Sequence, residues 1–94
     1  MPIYIMLSTL TSDGLETIKE KPDRITEVSD ELEAMGVTVK EQWAVLGDYD
    51  FVNIVEAPDN ETVARASVEI GSRGSVSMVT MPAIPVEKFI ASLK

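Results

Sequence analysis

The chain has no cysteine and no histidine among its 94 residues. Disulfides, thiolate nucleophiles, imidazole bases, haem ligation through His or Cys, and zinc sites built on those ligands are therefore excluded within it. Basic residues are also scarce: eight Lys and Arg stand against sixteen Asp and Glu, giving a net charge of -8. Phosphate backbones are held by clustered cations, so a nucleic-acid partner is not expected. No apolar run approaches membrane-spanning length, and Met1-Pro2-Ile3-Tyr4 lacks the basic start and apolar core of a signal peptide. A cytoplasmic protein that does not engage a membrane is the expectation.

Carboxylates are what the chain has in excess. Asp13, Glu16, Glu20, Asp23, Glu27, Asp30, Glu31 and Glu33 all precede Gly36. A solvated helix face that keeps the protein soluble explains them better than an acidic docking site. Their spacing matches no Ca²⁺ loop, so neither a metal site nor a cofactor is expected.

Ninety-four residues suffice for one domain with one core, spanning 1–94. Ile3 to Leu10 is dominated by apolar residues between Pro2 and a polar cluster, and reads as a strand. Asp13 and Glu16 have capping-box spacing and predict a helical turn carrying Leu15 and Ile18. Past Pro22, the residues Ile25, Val28, Leu32 and Met35 recur at helical spacing, with Gly36 as the C-terminal stop. Val37 to Leu46 alternates with period two, placing Val37, Val39, Glu41, Trp43 and Val45 on one face of an edge strand. Gly47-Asp48 predicts a two-residue hairpin turn, and Asp50 to Ala57 the returning strand. Asp59 or Asn60 caps a helix bearing Val63, Ala66, Ser67 and Ile70. Ser75 to Ala83 is a last strand, and Pro85 starts a short helix with Val86, Phe89, Ile90 and Leu93 on one side.

The order βαββαβ plus a terminal helix is the α+β, ferredoxin-like plan: a four-stranded antiparallel sheet with both helices on one face and the first and third strands central. Such a sheet leaves one face uncovered, yet both faces of its central strands are apolar here. Ile3, Ile5 and Leu7 point one way, Tyr4, Met6 and Leu10 the other; Val52 and Ile54 oppose Phe51 and Val55. Wetting four or five such side chains costs roughly 1.5–3 kcal/mol each. A second copy packed sheet to sheet is the simplest cover, so a homodimer or higher oligomer is expected, with a ligand cavity between the facing sheets.

Asn53 interrupts an apolar strand, and a buried amide requires partners. A structural hydrogen bond or ordered water competes with a ligand contact as its explanation. Tyr4 and Trp43 are further candidates for lining the same region, against plain core or interface packing. Glu56, at the end of a central strand, is the candidate base if its pKa is raised, with an ion pair to Arg24 or Arg73 as the competing account. The Gly71-Ser72-Arg73-Gly74 segment is not a phosphate loop, because it follows a helix and meets the negative end of its dipole.

Several segments together resemble the GYD-domain family, named for a Gly-Tyr-Asp signature at the central hairpin. They are Tyr4-Ile5, Thr11 to Gly14, Arg24, Gly36, Leu46-Gly47, Tyr49-Asp50, Glu56-Ala57-Pro58-Asp59 and Gly71 to Gly74, distributed over nearly the whole chain. The signature stands here as Gly47-Asp48-Tyr49-Asp50. The resemblance implies a ferredoxin-like subunit related to dimeric α/β-barrel proteins and implies no reaction. Turn and strand-start chemistry explains Gly47, Tyr49 and Asp50 better than catalysis does.

Two functional expectations follow. One is a non-catalytic, homo-oligomeric module that binds a small apolar or aromatic molecule or docks another protein. The other is a cofactor-independent monooxygenase or isomerase of the dimeric α/β-barrel type, with Glu56, Asp50 and Tyr49 as catalytic candidates and Asn53, Trp43 and Tyr4 as ligand contacts. A dimer whose cavity is filled by side chains is a third, purely structural outcome.

Overall fold

Alternation of buried and half-buried residues runs the length of β1 (Ile3–Leu10) until Thr9. Tyr4, Met6 and Ser8 turn toward the helices, and Ile3, Ile5 and Leu7 toward the other face. A computed structural model describes residues 1–94 and places β1 in the middle of a four-stranded antiparallel sheet. Its order is β2-β3-β1-β4, with β2 (Thr38–Ala44), β3 (Phe51–Glu56) and β4 (Val76–Ala83). Three helices interleave with the strands: α1 (Ser12–Glu20), α2 (Arg24–Ala34) and α3 (Asn60–Gly71). A short α4 (Val86–Ser92) follows β4. This is the expected ferredoxin-like α+β architecture, with β1 and β3 central.

The core lies between the sheet and the helices. Tyr4, Met6 and Val55 from the central strands meet Leu32 of α2 and Val63, Ala66 and Ile70 of α3, all buried. The helical spacing of these apolar residues is what turns one face of each helix onto the sheet. Truncating any of the larger ones to alanine costs roughly 2–5 kcal/mol.

Local chemistry departs from expectation in three places. Thr11, not Asp13, caps α1: its Oγ1 accepts the Gly14 N–H at 3.1 Å and donates to the Gly74 carbonyl at 2.8 Å. A threonine just outside the helix can reach the third amide of the first turn, whereas Asp13 is already helical. The β2–β3 connection spans residues 45–50, longer than a two-residue turn. It is held by a Val45 N–H bond to the Asp50 carbonyl at 2.9 Å. Gly47 still supplies the left-handed backbone, at φ +112°, which a side chain would strain.

The third departure is in β2. Val39 lies opposite Val55, but Glu41 lies opposite Ile54, so Lys40 is the extra residue of a β-bulge. A bulge reverses the facing of every residue beyond it. Gln42, opposite Asn53, therefore turns to the helix side, while Trp43, opposite Val52, turns to the open face and is 58% exposed. The uniform alternation expected through Trp43 and Val45 fails for that reason.

On the open face, Ile5 stands between Ile54 and Met81, and Leu7 between Val52 and Val79. No element of the chain covers these residues. The side chains of Val86, Phe89, Ile90 and Leu93 around α4 are exposed as well.

Candidate functional site

A cavity of about 110 Å³ opens between the sheet and the helix layer. Its floor is formed by the helix-side residues of the strands, among them Ser8, Phe51, Asn53 and Met78; Ile18, Ile25 and Val28 wall it from α1 and α2. The floor follows from strand parity: Ser8 pairs with Phe51 and Met78, and Asn53 with Met6 and Gln42. The cavity is therefore inside the protomer and not between facing sheets. It lies where α1 and α2 cover the last residues of β1 and the first residues of β3.

Gly14 sets how closely α1 approaches. A Cβ built there would stand 2.1 Å from the Ser75 carbonyl oxygen, a contact no side chain can make. The same carbonyl accepts the Thr11 N–H at 3.0 Å. The start of α1 is thereby pinned to the start of β4 at one edge of the cavity.

Two guanidinium groups, Arg24 and Arg73, also line the cavity, and each side chain is about one-third exposed. Both bind Glu31. Arg24 Nη1 reaches Glu31 Oε1 at 2.8 Å, and Arg73 Nη1 contacts Glu31 Oε2. Glu27 and Glu69 approach the same arginines at 3.4 and 3.6 Å. The hydrogen bond from Arg73, reinforced by Arg24, holds the Glu31 carboxyl below its ordinary value. Glu31 in turn raises the Arg24 pKa. In the sequence Glu31 reads as one of many solvated acids, and Arg73 as one of two possible ion-pair partners of Glu56. The seven-residue spacing of Arg24 and Glu31, two turns along one helix face, was the available signal.

Asn53 is 6% exposed, and its Oδ1 is buried without a hydrogen-bond partner. Gln42, its cross-strand neighbour, accepts the Ser29 hydroxyl with its Oε1 at 3.3 Å. The other candidates lie elsewhere. Tyr4 is buried at the opposite end of the helix layer and donates to Asn60 Oδ1 at 2.7 Å. Trp43 stands on the open face. Asp50 is engaged by the Leu10 backbone, and Tyr49 is half-buried in the β2–β3 loop. Glu56 shares the open side with Ile3 and approaches Lys40 Nζ at 4.0 Å, rather than either arginine. Of the six candidates, only Asn53 lines the cavity, and no carboxylate does.

Sheet order, connection and layering define a ferredoxin-like α+β protein. Within that class the chain belongs to the GYD domain family, whose match spans residues 4–93. A relative from Thermus thermophilus, named a glutamine synthetase and cystathionine beta-lyase binding protein, is 59% identical over 95 residues, covering the whole of both chains. Among solved structures, FFRP-DM1 is 27% identical with a TM-score of 0.59, over 89% of this chain and all of that one. MtbAldR superposes with a TM-score of 0.67 at 19% identity, over 89% of this chain and 52% of its own, and shares the fold. No helix of the chain is long and apolar enough to cross a membrane.

Proposed function

We propose that this protein is a non-catalytic, homo-oligomeric binding module that docks onto partner enzymes, with glutamine synthetase and cystathionine beta-lyase the first partners to test. The observation that carries this reading is full-length identity of 59% to a relative named for binding those two enzymes. The geometry supports it. Asp50 and Glu56 lie away from the cavity, and no acid–base pair faces its interior, so chemistry there has no evident proton acceptor.

Self-association is read from the open sheet face. Four strands about 4.8 Å apart, each of six to eight residues, make a face roughly 19 Å by 20–26 Å. Two such faces offer about 800–1,000 Å² in projection, and more as accessible surface, which approaches the lower range of stable interfaces. The centre, from Ile5 and Leu7 to Ile54 and Met81, carries no ionisable group. For a chain of net charge -8, that neutral patch is where two copies meet with least repulsion. A symmetric dimer uses one such patch twice.

The test is biolayer interferometry of the immobilised full chain against glutamine synthetase and cystathionine beta-lyase purified from the same source. Saturable binding to either at micromolar concentration supports the reading. Absence of binding to both, with the relative binding its own enzymes in the same assay, rejects it.

A further inference from the structure

We infer that the cavity between the sheet and helices α1 and α2 is a binding site for a small carboxylic acid with an apolar body and a hydrogen-bond donor, N–H or O–H, at its far end. The inference is independent of enzyme docking, and rests on three features of the cavity.

The first is Asn53. Buried polar atoms in folded proteins are paired almost without exception, and an orphan calls for an occupant. Asn53 Oδ1 is such an orphan, on a side chain 94% removed from solvent as its 6% exposure states, and the residue lines the cavity. An amide carbonyl oxygen accepts hydrogen bonds, so what completes it is a donor. Gln42, the neighbouring amide, accepts the Ser29 hydroxyl with its Oε1, and its own N–H₂ makes no bond to Asn53 Oδ1.

The second is charge. Arg24 and Arg73 place two guanidinium groups at the lining, and Glu31, bound to both, is not among the lining residues. Glu27 and Glu69 neutralise the outer sides of the pair but are more than half exposed and are not part of the lining. Guanidinium N–H groups left over from Glu31 match a carboxylate in geometry as well as in charge. Arg24 and Arg73 are the only charged side chains of the lining, so a carboxylate is the charged group their remaining N–H bonds can receive.

The third is the wall between these poles. Ile18, Ile25, Val28, Phe51 and Met78 present hydrocarbon, and Ser8, also buried, adds one hydroxyl beside Asn53's strand. A volume of about 110 Å³ accommodates an acid of hydroxybenzoate or hydroxy-methylbutanoate size and is too small for a nucleotide or a lipid. Water alone would satisfy Asn53 but leaves the apolar wall without a partner.

The experiment is a ¹H–¹⁵N titration of the full chain with 4-hydroxybenzoate and 4-hydroxy-3-methylbutanoate. Benzoate and 3-methylbutanoate serve as donor-free acids, and the matching amides as uncharged analogues. The hydroxy acids are expected to shift the Asn53 side-chain amide and the Arg24 and Arg73 side chains. Their binding should be about tenfold tighter than that of the donor-free acids or the amides. Asn53→Leu should abolish the preference for the hydroxyl while acids still bind. The inference is overturned if neither hydroxy acid perturbs these resonances at millimolar concentration. It is overturned equally if amides bind as well as acids, or if the shifts map to Ile5, Ile54 and Met81 on the open face. Should Asn53→Leu fail to fold, the ranking of acids, donor-free acids and amides on the unmodified chain decides the matter alone.

Discussion

Asp50 Oδ2 accepts the backbone N–H of Leu10 at 2.7 Å, while the Asp50 backbone N–H donates to the Ser8 carbonyl at 2.8 Å. β3 begins at Phe51, opposite Ser8, so β1 continues two residues beyond its neighbour. The aspartate of the signature thus replaces the missing strand with its own side chain. Asp50→Ala is expected to destabilise the protein by about 1.5–3 kcal/mol, the range for hydrogen bonds to charged groups. Asp50→Asn keeps an acceptor and should lose less. Urea unfolding of the two variants checks the ordering; equal losses would contradict it.

Gly14 has no room for a methyl group, because the obstructing atom is the Ser75 backbone oxygen and not a movable side chain. Gly14→Ala should therefore cost roughly 1–3 kcal/mol, the usual penalty of overpacking, despite alanine's better helix propensity. Ser12→Ala, at an exposed position of the same helix, should leave stability nearly unchanged. Thermal melts of both variants provide the comparison, and a neutral Gly14→Ala would show that α1 is free to move.

Element types and sheet order were legible because their signals are periodic and redundant. Ile25, Val28, Leu32 and Met35 repeat at one helical face, Pro22 and Gly36 bound it, and Pro58 ends the strand that follows the hairpin. Lys40 was not legible as a bulge, since one inserted residue leaves both halves of β2 alternating and only their relative phase changes. That phase decided where Gln42 and Trp43 point, and so removed Trp43 from the cavity side. Asn53 was recognisable as an anomaly in an apolar strand. The Arg24–Glu31–Arg73 cluster was not, because Arg73 reaches α2 from the end of α3, across forty-two residues of chain. No local pattern records such a contact.

Asn53→Leu should raise stability in the absence of ligand. An unpartnered buried polar group costs about 1–3 kcal/mol, and the adjoining cavity can receive the slightly larger side chain. For a domain of this length the melting temperature should rise by about 4–8 °C for each kcal/mol gained. Differential scanning calorimetry measures it directly. A loss of stability would mean that Asn53 is already satisfied in solution.

Ile5→Glu places a charge at the centre of the open face, between Ile54 and Met81. In a protomer alone this side chain points to water, so folding should survive. In a sheet-to-sheet dimer it would bury two like charges against apolar neighbours, at a cost of several kcal/mol. Light scattering after size exclusion should show the unmodified chain as a dimer and the variant at half its mass. A monomeric unmodified chain at micromolar concentration would remove the basis for this interface.

Glu31 links stability to pH. Arg73 and then Arg24 hold its carboxyl below the ordinary value of 4.5, so the folded state retains the charge to lower pH than the unfolded chain does. Its contribution is fully present above the unfolded value and is lost as pH falls through the depressed folded one. The side chains involved remain about one-third exposed. Solvent therefore screens the cluster, and the contribution is about 1 kcal/mol or less. Glu31→Gln should flatten the decline in stability below pH 4.5 while leaving the two arginines at the cavity paired only with Glu27 and Glu69. Raising the salt concentration should reduce the difference between the two proteins, because exposed pairs weaken as the screening length shortens. Urea midpoints measured from neutral pH downward, at low and high salt, give both trends from one series. An identical pH slope in Glu31→Gln would assign the acid sensitivity to other carboxylates, of which Asp59, bound by the Thr62 hydroxyl and N–H and likewise depressed, is the next to test.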